Sequence, residues 1–255
     1  MDTFSSSNLK KIFNYQFEDE NWKKKLAIAG GLTLASFIIP IVPILALSGY
    51  MMKIIKQIVE GDGQPSLPEW EDWGNLILNG LKLTAQAFVF TLPLILAFII
   101  GYGSMFLPLI LTEIAAESGD AGAEGLGVII TMLGMGGGYF MFGLVTLLSV
   151  VMWFFQTVII GHVAVTEQFS AAFRFREWWR ILRANTGEFL LAFVFVFGLT
   201  MLFSYVYYFF AMTIVLICLL PFLLSAVSAY MMTVIAPLYG QVYRTSRNKL
   251  EETEA

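Results

Sequence analysis

Only a few side chains in the long apolar stretches of this 255-residue chain belong to types that take part in chemistry. His162 is the single histidine, and its imidazole could ligate a metal ion or a heme. A metal site needs several ligands, and the sequence offers no second histidine and one cysteine, Cys218. We therefore favour a neutral, hydrogen-bonded His162 at an interface, a small buried apolar role for Cys218, and no metal or other cofactor.

Three uncharged polar residues, Gln86, Gln156 and Thr157, also lie in charge-free runs. They could line a path through the protein, or they could hydrogen-bond one helix to another. Ionisable groups inside apolar segments mark many proton-coupled transporters, and the predicted membrane cores contain no carboxylate or base. The sequence argues against a proton-coupled pump but leaves open a passive route for a neutral or lipid-like substrate.

The stretch Gly134–Gly138, sequence GMGGG, contains a Gly-x-x-x-Gly spacing. Such spacing allows two helices to approach closely, and in transporters it can mark a flexible break. The charge-free run Leu126–Thr166 would be about 60 Å long as one helix, twice the apolar thickness of a bilayer. We therefore expect a break at Gly134–Gly138 and a span over Met141–Thr166.

No catalytic arrangement stands out in the chain. It has no Gly-x-Ser-x-Gly elbow, no ordered Ser-His-acid set and no phosphate-binding glycine loop followed by Lys-Ser/Thr. We predict no catalytic residues and no enzyme activity. Beyond small basic clusters nothing supports nucleic-acid binding, so no nucleic-acid partner is predicted.

The elements that must position these residues are membrane helices. The chain is 58% hydrophobic and 13% charged, whereas soluble domains are about one-quarter charged. Charge is absent from Thr84–Leu111 and from Phe189–Tyr243, and such runs predict spans. We predict an all-α integral membrane protein with four full transmembrane helices. The run Phe189–Tyr243 should form two of them, joined by a tight turn near Phe210–Thr213.

The first apolar run, Leu26–Met52, permits two arrangements. It could be one span, or a short re-entrant helical hairpin with its tip at Pro40–Pro43, since proline interrupts helices. We favour the hairpin, because one span would separate neighbouring basic clusters across the membrane.

All Lys and Arg residues fall into four clusters, and the segment 112–125 carries four acids and no base. Because cytoplasmic loops collect Lys and Arg, we predict a multi-pass protein of the cytoplasmic (inner) membrane with both termini cytoplasmic. The predicted segments are an N-terminal interfacial segment (1–25), an apolar hairpin or span (26–58), a linker and elbow helix (59–83), a helical hairpin (84–166) with an external acidic loop (112–125), an amphipathic elbow (167–188), a second helical hairpin (189–243) and a tail (244–255).

Tryptophans recur before the apolar runs. The segments EDWGNLILN (71–79) and EWWRILRAN (177–185) share four positions, and Trp22 begins a weaker third copy. The run ALSGYMMKII (46–55) also matches AVSAYMMTVI (226–235). We infer internal repeats, each with a Trp-bearing interfacial helix and an apolar hairpin.

The interfacial helices should place tryptophan at the headgroup level. We expect the first helix to start near Pro68, with Trp70, Trp73, Ile77, Leu81 and Thr84 on one face. In the second, an apolar face meets the bilayer while arginines contact anionic lipid. The alternative is a cage of Trp and acids that binds a partner. The face and arginine residues of the second helix are Phe175, Trp178, Trp179, Leu182, Arg174, Arg176, Arg180 and Arg183.

Three motifs resemble a prokaryotic family of polytopic membrane proteins known as a domain of unknown function. They are F-x-Y-x-F-x-D-E-N-W at 13–22, the Gly49-Tyr50 pair followed by L-P-E-W-E-D-W at 67–73, and FRFREWWRILRAN at 173–185. The resemblance covers nearly the whole chain in order and implies a bacterial or archaeal cytoplasmic membrane. It implies no reaction and no catalytic residues.

The sequence as a whole predicts a non-enzymatic scaffold, assembly or accessory membrane protein. Its expected partners are membrane lipids, anionic at the cytoplasmic face, and other membrane proteins or further copies of the chain. The alternative is a transporter or channel-like protein for a small neutral or lipidic substrate, with a path near Gln86, Gln156, Thr157 and Gly134–Gly138.

Overall fold

The structure is a computed structural model that describes residues 3–117, 121–213 and 218–254, apart from the side chains of 115, 121, 123, 124 and 254. These ranges are almost wholly helical and contain no strand. The helices are α1 (Ser6–Glu18), α2 (Trp22–Ala35), α3 (Ile41–Glu60), α4 (Trp73–Glu117), α5 (Ala121–Thr166), a 3-10 helix (Phe169–Phe173), α6 (Phe175–Ala184), α7 (Thr186–Ala211) and α8 (Leu220–Glu254).

Within the described ranges, five helices are long and apolar enough to cross a membrane. They are α3, α4, α5, α7 and α8. The chain is therefore an all-α membrane protein, as predicted. Its residues group into two compact units, one formed by 1–86 and 154–255 and the other by 87–153.

Helix α8 is the centre of the first unit and packs against α1, α2, α3, α6 and α7. Val234, Leu238 and Val242 are fully buried and recur every four residues, so they form one apolar stripe along α8. On α3, Ile54, Ile55 and Ile58 are also buried. This interdigitated aliphatic core fixes the helix ends that carry the polar groups.

The first apolar run is a helical hairpin, and a single helix over 26–52 is wrong. Helix α2 ends at Ala35, α3 begins at Ile41, and the two pack against each other. The turn lies at 36–40, slightly before the predicted Pro40–Pro43 tip, because Pro43 falls in the first turn of α3, where a missing N–H costs nothing. The apolar side chains around this turn are exposed, Ile38 to 84%.

The predicted helix start near Pro68 is wrong. Residues 62–72 are not helical, and α4 begins at Trp73, where Asp72 Oδ1 accepts a hydrogen bond from the Asn75 N–H. Trp70 therefore does not share a helical face with Trp73. Helix α4 then continues through the predicted elbow and span as one helix of 45 residues, about 68 Å long.

The predicted break at Gly134–Gly138 is also wrong, because α5 runs unbroken from Ala121 to Thr166. Close packing, the other reading of the glycine pair, is confirmed within the second unit. A Cβ atom at Gly134 would lie 2.3 Å from the Ser104 backbone oxygen, and one at Gly138 would lie 2.0 Å from Met105 Cγ. Glycine lets α5 lie directly against α4 there.

The structure describes the two remaining predicted turns in part. Helix α4 extends to Glu117 and α5 begins at Ala121, so 112–117 and 121–125 of the predicted acidic loop 112–125 are helical, and 118–120 lie outside the described residues. Helix α7 ends at Ala211, within the predicted turn, and 214–217 are not described. Cys218 is exposed, so its predicted burial is wrong.

The contact at Gly134 gives a direct test of the α4–α5 packing. We expect Gly134→Ala to lower the free energy of unfolding by about 1–3 kcal/mol, because the added methyl group meets backbone. Gly137→Ala is the matched control, since a Cβ at Gly137 has nothing within 4 Å. It should leave stability unchanged or raise it by up to about 1 kcal/mol. Thermal unfolding in mild detergent measures both, and equal effects would contradict this contact.

Candidate functional site

Polar contacts join lysines of three basic clusters to the 61–72 loop and to the segments on either side of α6, which carries the fourth cluster, the arginines at 174–183. These lysines lie on α1, α2, α3 and α8, so four helices contribute cations to this region. The contacts are Lys11 with Gln64, Lys25 with Glu69 at 2.7 Å, Lys56 with Glu167 at 2.9 Å, and Lys249 with Asn185 at 3.4 Å. We call this region the basic end.

The centre of the basic end is a buried ammonium group. The side chain of Lys25 is 5% exposed, and its Nζ lies 2.7 Å from carboxylate oxygens of both Asp19 and Glu69. The same Nζ donates a hydrogen bond of 2.8 Å to the Leu67 carbonyl. An ammonium has three donors, so this arrangement satisfies it completely and fixes the 61–72 loop against α2.

Aromatic contacts also hold the 61–72 loop in place. We call these contacts, together with those of the Lys25 ammonium, the Lys25 lock. The Trp70 ring stacks on Tyr50, with centroids 3.8 Å apart and 2° between the planes. Trp70 Nε1 donates to the Lys25 carbonyl at 3.1 Å, and the Tyr50 hydroxyl donates to the Pro68 carbonyl at 2.8 Å. Trp70 is therefore a buried structural residue, whereas Trp73 is 43% exposed at the start of α4.

The protonation of Lys25 reflects two opposing effects. Burial lowers the pKa of Lys25, but the hydrogen bonds and negative charges of Asp19 and Glu69 outweigh it, so the pKa is raised above its ordinary value. Lys25 is therefore charged at neutral pH, and the lock is ionic.

His162 has partners at both ring nitrogens. Its Nε2 lies 3.2 Å from a Glu177 carboxylate oxygen and its Nδ1 lies 2.8 Å from the Tyr243 hydroxyl. Because an ionised carboxylate only accepts hydrogen bonds, the neutral ring carries its proton on Nε2 and Tyr243 donates to Nδ1. The predicted hydrogen-bonded histidine is confirmed, and it joins α5 to α6 and α8.

The polar residues predicted for a pathway or for packing are held in helix contacts. Gln86 is fully buried, and its Nε2 donates to Gln156 Oε1 at 3.0 Å, joining α4 to α5. Thr157 is also buried and donates to the Phe154 carbonyl within α5. These contacts support the interhelical role that the sequence left open for Gln86 and Gln156.

The amphipathic helix α6 divides its aromatic residues between two surfaces. Trp178 and Leu182 are buried, and Trp178 Nε1 donates to the Ala172 carbonyl at 3.1 Å. The predicted lipid-facing set is therefore partly wrong, because these two residues pack inside the protein. Phe175 and Trp179 stack with centroids 5.1 Å apart, and Arg183 lies over the Trp179 ring. Phe175 and Arg183 are exposed, whereas Trp179 is half-buried against Phe155 of α5. We call Phe175, Trp179 and Arg183 the α6 ladder.

The other candidate residues take different positions. Arg174, Arg176 and Arg180 are exposed beside the ladder, and Arg174 lies 3.6 Å from Glu177. Trp22 begins α2 and contacts Phe17 edge to face. The α6 ladder and its arginines form a basic aromatic surface.

Sequence reasoning missed Lys25 and Tyr50 as the residues that hold the loop. Lys25 lies four residues before Ala29 and shares its buried face of α2, but in the sequence it is one of three consecutive lysines and nothing distinguishes it. For Tyr50 the sequence showed only that it belongs to the Gly49-Tyr50 motif. No nearby residue indicates that its ring stacks on Trp70.

An apolar cavity of about 800 Å³ lies in the first unit between α7, α8 and Met51 of α3. Its walls are mainly aromatic, aliphatic and methionine side chains such as Phe203, Tyr207 and Met231. The few hydroxyl groups include Thr200 and Ser204, and both donate to carbonyls of α7. The cavity suits hydrocarbon rather than a polar solute.

The Lys25 lock can be tested by removing its ammonium. Lys25→Met leaves Asp19, Glu69 and the Leu67 carbonyl without their donor, and we expect the free energy of unfolding to fall by roughly 2–3 kcal/mol. Glu69 is half-exposed and is rehydrated, which keeps the loss moderate. Thermal unfolding in mild detergent measures the loss. Lys24→Met, at an exposed neighbour, is the control and should change stability by less than about 0.5 kcal/mol.

The same pair of proteins gives a pH test. Because the folded-state pKa of Lys25 is raised, the ionic contribution is complete below the ordinary lysine pKa of about 10.4 and is lost as pH rises through the folded-state pKa. The stability difference between wild type and Lys25→Met should stay constant from about pH 7 to 10 and shrink only above that. A difference that disappeared by about pH 9 would show that the lock is not ionic.

Comparison with known proteins identifies the family of the chain. A family described as a protein of unknown function (DUF4013) matches residues 32–215, which is more than half of the chain. No curated protein and no solved structure matches. The matched range includes Tyr50, the 61–72 loop and α6, while the motif at 13–22 precedes it. The chain belongs to the DUF4013 family of proteins of unknown function.

Proposed function

We propose that this protein is a non-enzymatic scaffold or accessory protein of a cytoplasmic membrane, with its basic end in the cytosol. The observation that carries the proposal is that polar groups proposed for a pathway, and the histidine considered as a ligand, form hydrogen bonds between helices. Gln86 bonds Gln156, and His162 bonds Glu177 and Tyr243. A scaffold needs such a fixed interior and presents its function on its surface.

The α6 ladder is the surface through which this role would act. Phe175 is 55% exposed and its neighbours Arg176 and Arg180 are also exposed, so aromatic rings and cations lie together at the basic end. Aromatic side chains favour the headgroup region, and each base near an anionic membrane contributes about 1 kcal/mol of attraction. Anionic lipid is the proposed contact of this surface.

Hydrogen exchange measures this contact directly. We expect the amides of 169–184 to exchange more slowly in nanodiscs with anionic lipid than in zwitterionic nanodiscs, because the α6 ladder docks on the charged surface. The double variant Arg176→Gln/Arg183→Gln should abolish that difference. Arg247→Gln is the control, since Arg247 already pairs with Glu251 at 2.9 Å. Equal exchange of the wild type in both nanodiscs would contradict lipid docking.

One observation favours a second function. The apolar cavity between α7 and α8 is large enough for part of a lipid, so a transporter or channel-like protein for a lipidic or small neutral substrate is the competing proposal. The scaffold proposal requires that the cavity be filled with lipid and closed to water. The transporter proposal requires that water or solute reach it from one face.

Cysteine labelling separates the two functions. Ser228 lines the cavity, so Ser228→Cys is placed in a Cys218→Ser background because Cys218 is exposed. In intact membranes, a membrane-impermeant maleimide should leave Ser228→Cys unlabelled from both faces if the protein is a scaffold. Asn248→Cys, exposed near the end of α8, is the positive control from the cytosolic face. Labelling of Ser228→Cys from either face would overturn the scaffold proposal.

A further inference from the structure

A second cavity, of about 480 Å³, lies at the basic end between the start of α7 and the end of α8. Four charged side chains of both signs line it: Glu188 from α7, and Arg244, Lys249 and Glu252 from α8. We propose that this cavity binds a zwitterionic phosphate ester that carries a primary ammonium, the chemistry of an ethanolamine-type lipid headgroup. Arg244 and Lys249 would bind the phosphate, and the two glutamates would bind the ammonium.

Within the described ranges, the charged side chains of the cavity bond only to neutral groups: Lys249 Nζ donates to Asn185 Oδ1 at 3.4 Å, and Glu188 accepts from Thr3 Oγ1. Among the described residues, none of Arg244, Lys249 and Glu252 forms an ion pair, although all three lie on one helix. One turn away on the same helix, Arg247 and Glu251 do pair. Because these cations and anions are not paired with each other, the cavity can bind a ligand that carries both a negative and a positive charge.

The phosphate half of the site has several donors. The Arg244 guanidinium can bind a phosphate in a two-pronged manner, and Lys249 adds a second charge. The Asn185 side chain lines the same cavity, and its buried Nδ2 has no hydrogen-bond partner among the described residues. Helix α7 begins at Thr186 beside these groups, and the positive end of its dipole favours an anion.

The ammonium half of the site selects the type of amine. Glu188 accepts a hydrogen bond from Thr3 Oγ1 at 2.7 Å and keeps further acceptor sites, and Glu252 is exposed. A primary ammonium can donate three hydrogen bonds to such carboxylates, whereas a quaternary amine has none to give. Quaternary amines are recognised by aromatic cages, and no described lining residue is aromatic. The cavity therefore favours ethanolamine-type over choline-type groups.

The position of the cavity suits a lipid. The charge-free run Phe189–Tyr243 is bounded by Glu188 on one side and Arg244 on the other, and both line the cavity. The cavity thus begins where the apolar parts of α7 and α8 end, which is the level of the headgroups.

Short-chain lipids test the selectivity on the full chain in mild detergent. Dihexanoyl phosphatidylethanolamine, phosphatidylcholine and phosphatidylglycerol are titrated, and the affinity is read from the shift of the thermal unfolding midpoint. We expect the ethanolamine lipid to bind at least about tenfold more tightly than either of the others. Arg244→Gln and Glu252→Gln should each weaken that binding about tenfold, while Arg247→Gln leaves it unchanged. Glu252 is exposed, so Glu252→Gln serves as the test if Arg244→Gln does not fold.

Soluble glycerophosphoethanolamine identifies the source of the ligand. Stabilisation by the lipid alone assigns the site to a membrane lipid, and stabilisation by both compounds assigns it to the headgroup wherever it is carried. Equal affinity for the three lipids, or equal losses in Arg244→Gln and Arg247→Gln, would overturn the proposal.

Discussion

The buried ammonium of Lys25 determines where the 61–72 loop lies, and through that loop it determines where α4 begins. A buried charge without partners is far too costly to keep, so Lys25 draws Asp19, Glu69 and the Leu67 carbonyl around itself. With Leu67 held, Pro68 and Trp70 meet Tyr50, and the chain enters α4 only at Trp73. A non-helical segment next to membrane helices is stable here because the Leu67 and Pro68 carbonyls accept hydrogen bonds from side chains, Lys25 and Tyr50 respectively.

Beyond the loop, helices approach through small residues. A Cβ at Gly49 would lie 1.8 Å from the Leu76 oxygen, and one at Gly80 would lie 1.7 Å from the Leu45 oxygen, so α3 and α4 touch backbone to backbone. Gly134 plays the same part between α4 and α5 in the second unit. Lipid chains are as apolar as leucine, so burial of leucine does little to join membrane helices. Close backbone contact and interhelical hydrogen bonds such as Gln86–Gln156 supply specificity instead.

The sequence predicted the parts of the fold that depend on solvation and missed those that depend on distant contacts. Charge-free runs such as Phe189–Tyr243 predict helices because lipid leaves backbone groups no other partner. The same constraint explains the error at Gly134–Gly138, where glycine would weaken a helix in water but a facing helix stabilises it here. Trp70 has the spacing of a helical face, yet Lys25, 45 residues away, holds it in a loop.

The candidate functional site, like the fold, could be predicted from the sequence only in part. Composition identified α6 as a helix that carries tryptophans and arginines, but a 3.6-residue period cannot tell which apolar side faces protein. Helix α6 has two such sides, with Trp178 and Leu182 buried on one and Phe175 exposed and Trp179 half-exposed on the other. His162 shows the same limit, because Glu177 and Tyr243 come from two other helices. Contacts that tie α5, α6 and α8 together hold the ladder at one orientation. The proposed role at the membrane surface depends on that orientation, because a ladder free to turn would present rings and cations to lipid only part of the time.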